Sequence, residues 1–195
     1  MLSKIRRKIE GVMRLIAKPL CSLGVHPNLL TISSSFILLV GLFLFKLLGS
    51  VWIFILSIAF SGFLDALDGA VARACGKASV FGSFLDSTID RVNDFLIIAS
   101  LSILGFNEYL VFGLMSLAFL TSYVRAKAES LGLRIEGVGL VERAERILLI
   151  TAILIINNWS RSIALLLLYT ALLLSFITVV QRIVHVRRSL GRSGL

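Results

Sequence analysis

Between Asn28 and Ile183 the chain is a succession of apolar runs separated by short polar breaks, and most of them are as long as a bilayer's hydrocarbon core requires. Six segments can be drawn, at about 28–48, 51–72, 81–104, 109–126, 146–157 and 162–183. In hydrocarbon a backbone must satisfy its own hydrogen bonds, so runs of this length read as helices. A mean hydropathy of +0.96 agrees and excludes an ordinary soluble domain. The fifth run is short. It spans if helix extends back through Arg143 into the preceding loop, or if neighbours shield a tilted segment.

A formal charge of +9 would suit a nucleic-acid binder. Here, however, the cations flank apolar runs rather than interleave with polar surface, so they read as orientation signals and no nucleic acid is expected as a partner. The six cations before Pro27, then Lys77, Lys127, Arg134, Arg143, Arg187, Arg188 and Arg192, would all lie on one side of a six-crossing chain, with Lys46 and Arg161 on the other. Both termini are therefore expected to be cytoplasmic in a multi-pass protein of the cell membrane. Ile5, Ile9, Val12, Met13, Ile16 and Leu20 recur at helical spacing with cations on the remaining arc, which predicts an interfacial amphipathic helix over 2–20. That helix would favour anionic membrane lipids.

The expectation is thus an all-α integral membrane protein, six transmembrane helices preceded by an N-terminal interfacial helix. It forms one domain, with 1–26 interfacial, 27–183 the bundle and 184–195 a basic tail. No cleavable signal segment is expected at the N-terminus. Cys21 and Cys75 are too few and too far apart to suggest a framework, and read as packing residues. His26 and His185 read as interfacial polar residues.

The chemistry lies across the second and third segments, where Asp65, Asp68, Asp86 and Asp90 border or enter the apolar layer. An ionised group there is costly and normally faces a cavity, a partner or an ion. Asp65 and Asp68 are i,i+3, and Asp86 and Asp90 i,i+4, so each pair shares a helix face and two facing helices can converge four carboxylates. Such a cluster repels itself unless a cation neutralises it. Oxygen-only ligands without His or Cys favour Mg²⁺ or Mn²⁺ over zinc. Gly69, Ala72 and Gly82 fall on the same faces and leave room for a nucleotide, while the Arg73 fork suits a phosphate. Alternatively, the glycines serve only close helix packing. Asp94 continues the stride of four, and reads as an ion-pair partner of Arg91 or a hydrogen-bonding group in the bundle.

These residues resemble the signature of the CDP-alcohol phosphatidyltransferase family, D-x2-D-G-x2-A-R-x8-G-x3-D-x3-D, at every fixed position and spacing from Asp65 to Asp90. The resemblance implies a homodimeric enzyme with two divalent metals per site, Mg²⁺ or Mn²⁺. Asp65, Asp68 and Asp86 would be ligands, and Asp90 would lie near the second metal and take the proton of the attacking hydroxyl. It also implies that Asn28 and Thr31 hold the cytidine end of a CDP-lipid and that Gly69, Arg73 and Ser79 contact the CDP portion. Asn28 after Pro27 has a plain helix-capping reading as well.

Ser122-Tyr123-Val124-Arg125-Ala126-Lys127-Ala128-Glu129 and Glu142-Arg143-Ala144-Glu145-Arg146 are similar to stretches of the family's inositol phosphate branch, with Ala144 where bacterial members often carry proline. That resemblance implies myo-inositol phosphate as acceptor, its phosphate bound by Arg125, Lys127, Arg146 and Arg182, and CDP-archaeol or CDP-diacylglycerol as donor. The same cations also serve as positive-inside flanking charge. Glycerol phosphate is the rival acceptor. A cation or proton transporter is the rival of another class, since buried carboxylates also line ion paths, and nucleotide dependence separates the two. A noncatalytic scaffold would release no CMP.

Overall fold

The computed structural model describes residue 13 and residues 15–135 and 137–192. Among these there are helices and turns but no strand. Helix α1 is described over 15–22, so the amphipathic reading of 2–20 falls mostly outside the described residues. It is followed by α2 (Pro27–Leu48), α3 (Val51–Ala74), α4 (Val80–Ile103), α5 (Glu108–Ser130), α6 (Arg143–Ile156) and α7 (Arg161–Arg192).

Four helices are long and apolar enough to cross a membrane: α2, α3, α5, and α7 over Arg161–Gly191. Helix α4 has 24 residues but carries Asp86, Asp90, Arg91 and Asp94. Helix α6 has 14 residues, a rise of about 21 Å. It reaches back to Arg143 and stops there, because Glu142 and Glu145 form a reciprocal capping box that ends the helix before the loop. Helix α7 continues past 183 to Arg192, so the expected basic tail is helical to that point.

The contacts divide the chain into two compact units, Met1–Leu96 and Ile97–Leu195. In the first, α2 begins with Pro27 at its first turn, where a missing N–H costs nothing, and with His26 as N-cap: His26 Nδ1 accepts from the Asn28 amide at 3.3 Å. Helix α2 packs along α3. Their close approach needs Gly41, since a Cβ there would overlap the Ser57 side chain. Phe45 and Phe54 stack at 6.0 Å nearby. Asn93 Nδ2 donates to Ser34 Oγ at 3.2 Å, tying α4 to α2 through two buried polar groups. Helix α3 ends in a Schellman turn, with Gly76 at φ 65° and the Lys77 amide bonded to Ala72 O at 2.9 Å.

The cysteine reading is overturned here. Cys21 and Cys75 form a disulfide with Cα atoms 5.5 Å apart, joining the end of α1 to the end of α3 across 54 residues of sequence. Around it, Ala17, Leu67, Ala70 and Val71 form a small apolar core. Spacing gave no sign of the pairing, because it follows from where two helix ends meet.

In the second unit α7 packs on both α5 and α6 over Leu114, Ile150, Ile153, Leu154 and Leu168, all fully buried. Arg161 closes the turn before α5. It donates to Leu104 O and Gly105 O at 2.9 and 2.7 Å and lies 3.7 Å over the Phe106 ring. Phe36, Phe43, Trp52, Leu56, Phe112 and Leu166 are more than half exposed. In water that would be costly, whereas a helix facing lipid requires it.

Candidate active site

Helices α3 and α4 place the signature residues on facing surfaces of the first unit. Asp65, Asp86 and Asp90, all half-buried, offer carboxylate oxygens within 4.8 Å of one another. Such a group of oxygen-only donors fits a hard divalent cation. The fourth carboxylate has a second engagement: the Thr31 hydroxyl donates to Asp68 Oδ2 at 2.5 Å, and Asp68 is only 6% exposed. Thr31 thus orients Asp68 from α2, a link that the spacing of the aspartates alone does not reveal. Arg91 lies 3.9 Å from Asp90 and donates to Ser87 O, and Asp94 is buried.

Beside the carboxylates is a cavity of about 190 Å³, lined by Asn28, Thr31, Gly69, Arg73 and Ser79, together with Asp68 and Asp86. All five residues expected to contact the CDP portion therefore share one cavity with two of the expected ligands. The geometry also separates two readings of Asn28. The cap of α2 is His26, and the Asn28 side chain instead reaches toward α4, with Oδ1 3.3 Å from where a Gly82 Cβ would stand. Gly82 is thus small because Asn28 and Ser79 occupy its side-chain space. Gly69 does the same for Arg73, whose Nη1 would lie 3.2 Å from an added Cβ. Ser79 Oγ accepts the Gly82 amide at 3.0 Å, so this hydroxyl caps the start of α4 while lining the cavity.

Sequence reasoning missed Lys77, which it counted only as flanking charge. Lys77 lines the cavity, and its Nζ donates to Gly24 O and Val25 O at 3.3 and 3.4 Å. The Schellman turn at Gly76 swings it inward, and a Gly two residues after Ala74 was the available signal.

The expected acceptor cations belong to the second unit. Arg125 on α5 pairs with Glu129 one turn on, at 2.8 Å. Lys127, two residues further along the same helix, is exposed on another face. Arg146 lies in the first turn of α6 and is 3% exposed. Arg182, equally buried, donates to Val138 O and Thr121 O, both at 2.8 Å, and to Glu142 Oε1 at 3.3 Å. These bonds use three of its five N–H donors. The charges of Arg125, Arg146, Glu129 and Glu142 all act on Arg182, so these groups form one electrostatic cluster.

Residues 24–181 match the CDP-alcohol phosphatidyltransferase family model. The archaetidylinositol phosphate synthase of Aeropyrum pernix is 41% identical over 183 residues, 91% of each chain. The Mycobacterium tuberculosis phosphatidylinositol phosphate synthase with CDP-DAG bound superposes with a TM-score of 0.80 at 27% identity, over 90% of this chain and 93% of that one. The same enzyme in complex with manganese and citrate gives 0.78 at 29% identity, over 89% and 88%. The signature, the cavity beside it and the match across most of the sequence agree: the chain belongs to the CDP-alcohol phosphatidyltransferase family.

Proposed function

We propose that the protein transfers the phosphate-linked lipid group of a CDP-lipid to a hydroxyl of myo-inositol phosphate, releasing CMP. The observation that carries the donor half is the single cavity uniting Asn28, Thr31, Gly69, Arg73 and Ser79 with Asp68 and Asp86. The inositol phosphate half is supported by the relatives' names, archaetidylinositol phosphate synthase and phosphatidylinositol phosphate synthase, and by the Arg125–Arg146–Arg182 cluster.

Asp65, Asp68, Asp86 and Asp90 would hold two Mg²⁺ ions, with Mn²⁺ as a substitute, as in the relative's manganese complex. Bound there, the ions supply charge neutralisation for the pyrophosphate and the leaving CMP. The chain's own groups do the rest. Arg73 and Lys77 receive the diphosphate, and Asn28 and Thr31 hold the cytidine end. Asp90 takes the proton from the attacking hydroxyl, and the displacement is a single in-line transfer without a covalent enzyme intermediate. Arg146, with Arg125, Lys127 and Arg182, binds the acceptor's phosphate. The enzyme works as a homodimer, each chain one membrane domain, with both termini and the active site at the cytoplasmic face.

The test is a substrate matrix. Purified protein receives CDP-archaeol or CDP-diacylglycerol, each with inositol phosphate, glycerol phosphate, serine or free inositol, and CMP release is measured. Inositol phosphate should be used best and free inositol poorly. Preference for glycerol phosphate would keep the donor chemistry and remove the acceptor assignment. Use of free inositol as readily as its phosphate would leave the cation cluster without a role.

A further inference from the structure

The loop between α5 and α6 is held from one face of α7. Thr178 is fully buried, and its Oγ1 accepts the amides of Leu140 and Val141 at 3.2 and 3.0 Å while donating to Leu174 O at 2.8 Å. One helical turn later Arg182 takes Val138 O and Glu142 Oε1. Glu142 Oε1 also accepts the Gly137 amide at 3.1 Å, and Glu142 caps α6. Gly139 fits this grip in two ways: its φ of 125° disfavours any side chain, and a Cβ there would overlap the Thr178 methyl. The loop is therefore fixed at successive points, and it ends at the helix turn that carries buried Arg146, whose amide bonds to Glu142 O at 3.1 Å.

We propose that Thr178 is a positioning residue for the acceptor pocket: by binding the Leu140 and Val141 amides it sets where α6 starts and so where Arg146 presents its guanidinium. This rests on the reading of Arg146 as an acceptor-phosphate residue. One hydroxyl serves both donors, and Val141 is buried whereas Leu140 is about half exposed, so the Val141 amide is the one that is expensive to leave without an acceptor. A loop carrying that amide shifts toward solvent, taking the first turn of α6 with it. A misplaced phosphate contact weakens acceptor binding, while the donor cavity belongs to the other unit.

Two variants separate the hydroxyl from the shape. Thr178→Val keeps the volume and the methyl against Gly139 but loses the acceptor oxygen, and Thr178→Ser keeps the oxygen. In purified enzyme, Thr178→Val should raise the KM for inositol phosphate about tenfold, with kcat and the CDP-lipid KM within about twofold of wild type. Thr178→Ser should restore most of the acceptor affinity. An unchanged acceptor KM in Thr178→Val, an equal loss in Thr178→Ser, or a parallel loss in kcat and both KM values would each overturn the proposal.

Hydrogen exchange of the wild-type protein in detergent adds a readout that no variant's folding can spoil. The Leu140 and Val141 amides should be protected, and rapid exchange at both would overturn the clamp. Arg146→Ala distinguishes the two levels of failure. If it leaves the acceptor KM unchanged, the acceptor reading of Arg146 fails and the proposal falls with it. If it raises that KM while Thr178→Val does not, only the positioning role is lost.

Discussion

At the residue scale the proposed function gives the carboxylates different tasks although the sequence presents them as two similar pairs. Asp90 is the group assigned to the acceptor proton, so Asp90→Asn is expected to abolish CMP release while retaining part of the metal and CDP-lipid binding, because three carboxylates remain. Near wild-type CMP release at saturating metal and substrate would show that another group takes the proton. Asp68 is the proposed ligand tied to Thr31, and Asp68→Ala should weaken metal binding itself, measurable by calorimetry. Thr31→Val, which removes the hydroxyl bonded to Asp68 and Pro27 O, should produce a smaller loss of metal binding in the same direction, of about 1.5–3 kcal/mol for a bond to a charged group, read in the absence of CDP-lipid because Thr31 also lines the donor cavity. On the acceptor side, Arg146→Ala should remove a charge-assisted phosphate contact of similar size. It would appear as a rise of roughly one to two orders of magnitude in acceptor KM with little change for CDP-lipid. The spacing of the aspartates and glycines was legible in sequence because a helix converts i,i+3 and i,i+4 directly into a shared face. Thr31 bonding Asp68, 37 residues away, was not legible, since no local period encodes which helices meet.

At the element scale the apolar runs located the long helices to within a few residues, because in hydrocarbon helix is the single local solution, except that α7 runs on from 183 to Arg192, where its residues turn polar and basic. What escaped was set by contacts between elements. The His26 cap displaced the capping reading of Asn28 and left that side chain for the cavity. The Cys21–Cys75 link depends on α1 and α3 ending side by side. It closes a 54-residue separation, for which chain entropy gives about 4 kcal/mol as an upper value, since a bilayer already restricts the unfolded chain. Cys21→Ser should therefore lower the Tm, and wild-type protein under reductant should fall to the same value. If the two cysteines titrate as free thiols in the isolated protein, the link is absent. Gly41 carries the α2–α3 contact, and Gly41→Val should destabilise by about 1–3 kcal/mol, because Ser57 leaves no space for the added atoms.

At the scale of the whole molecule the open quantity is the number of crossings, and it can be argued to a single experiment. Helices α2, α3, α5 and α7 meet the length and apolarity of a span, whereas α4 carries Asp86, Asp90, Arg91 and Asp94 and α6 rises only about 21 Å against a core of about 30 Å. An enzyme of the CDP-lipid class needs its carboxylates within reach of the headgroup layer, so charge near one end of α4 is compatible with crossing, and a short α6 can cross where neighbours shield its ends. Six crossings put Arg134 with the termini on the cytoplasmic side and Asn107 and Asn158 opposite. If only the four long helices cross, both termini still share a side, but Asn107 joins them while Arg134 and Asn158 are outside. Counting charges at the termini cannot separate these cases, whereas the loops can. Single cysteines at 107, 134 and 158 would be labelled in intact cells with an impermeant thiol reagent, the native pair being held as a disulfide and silent. Six crossings predict labelling at 107 and 158 but not at 134. Labelling at 134 without 107 would mean that α4 and α6 lie within one leaflet, placing Arg125 and Arg146 on the side away from the cytoplasm and from any soluble phosphate acceptor there.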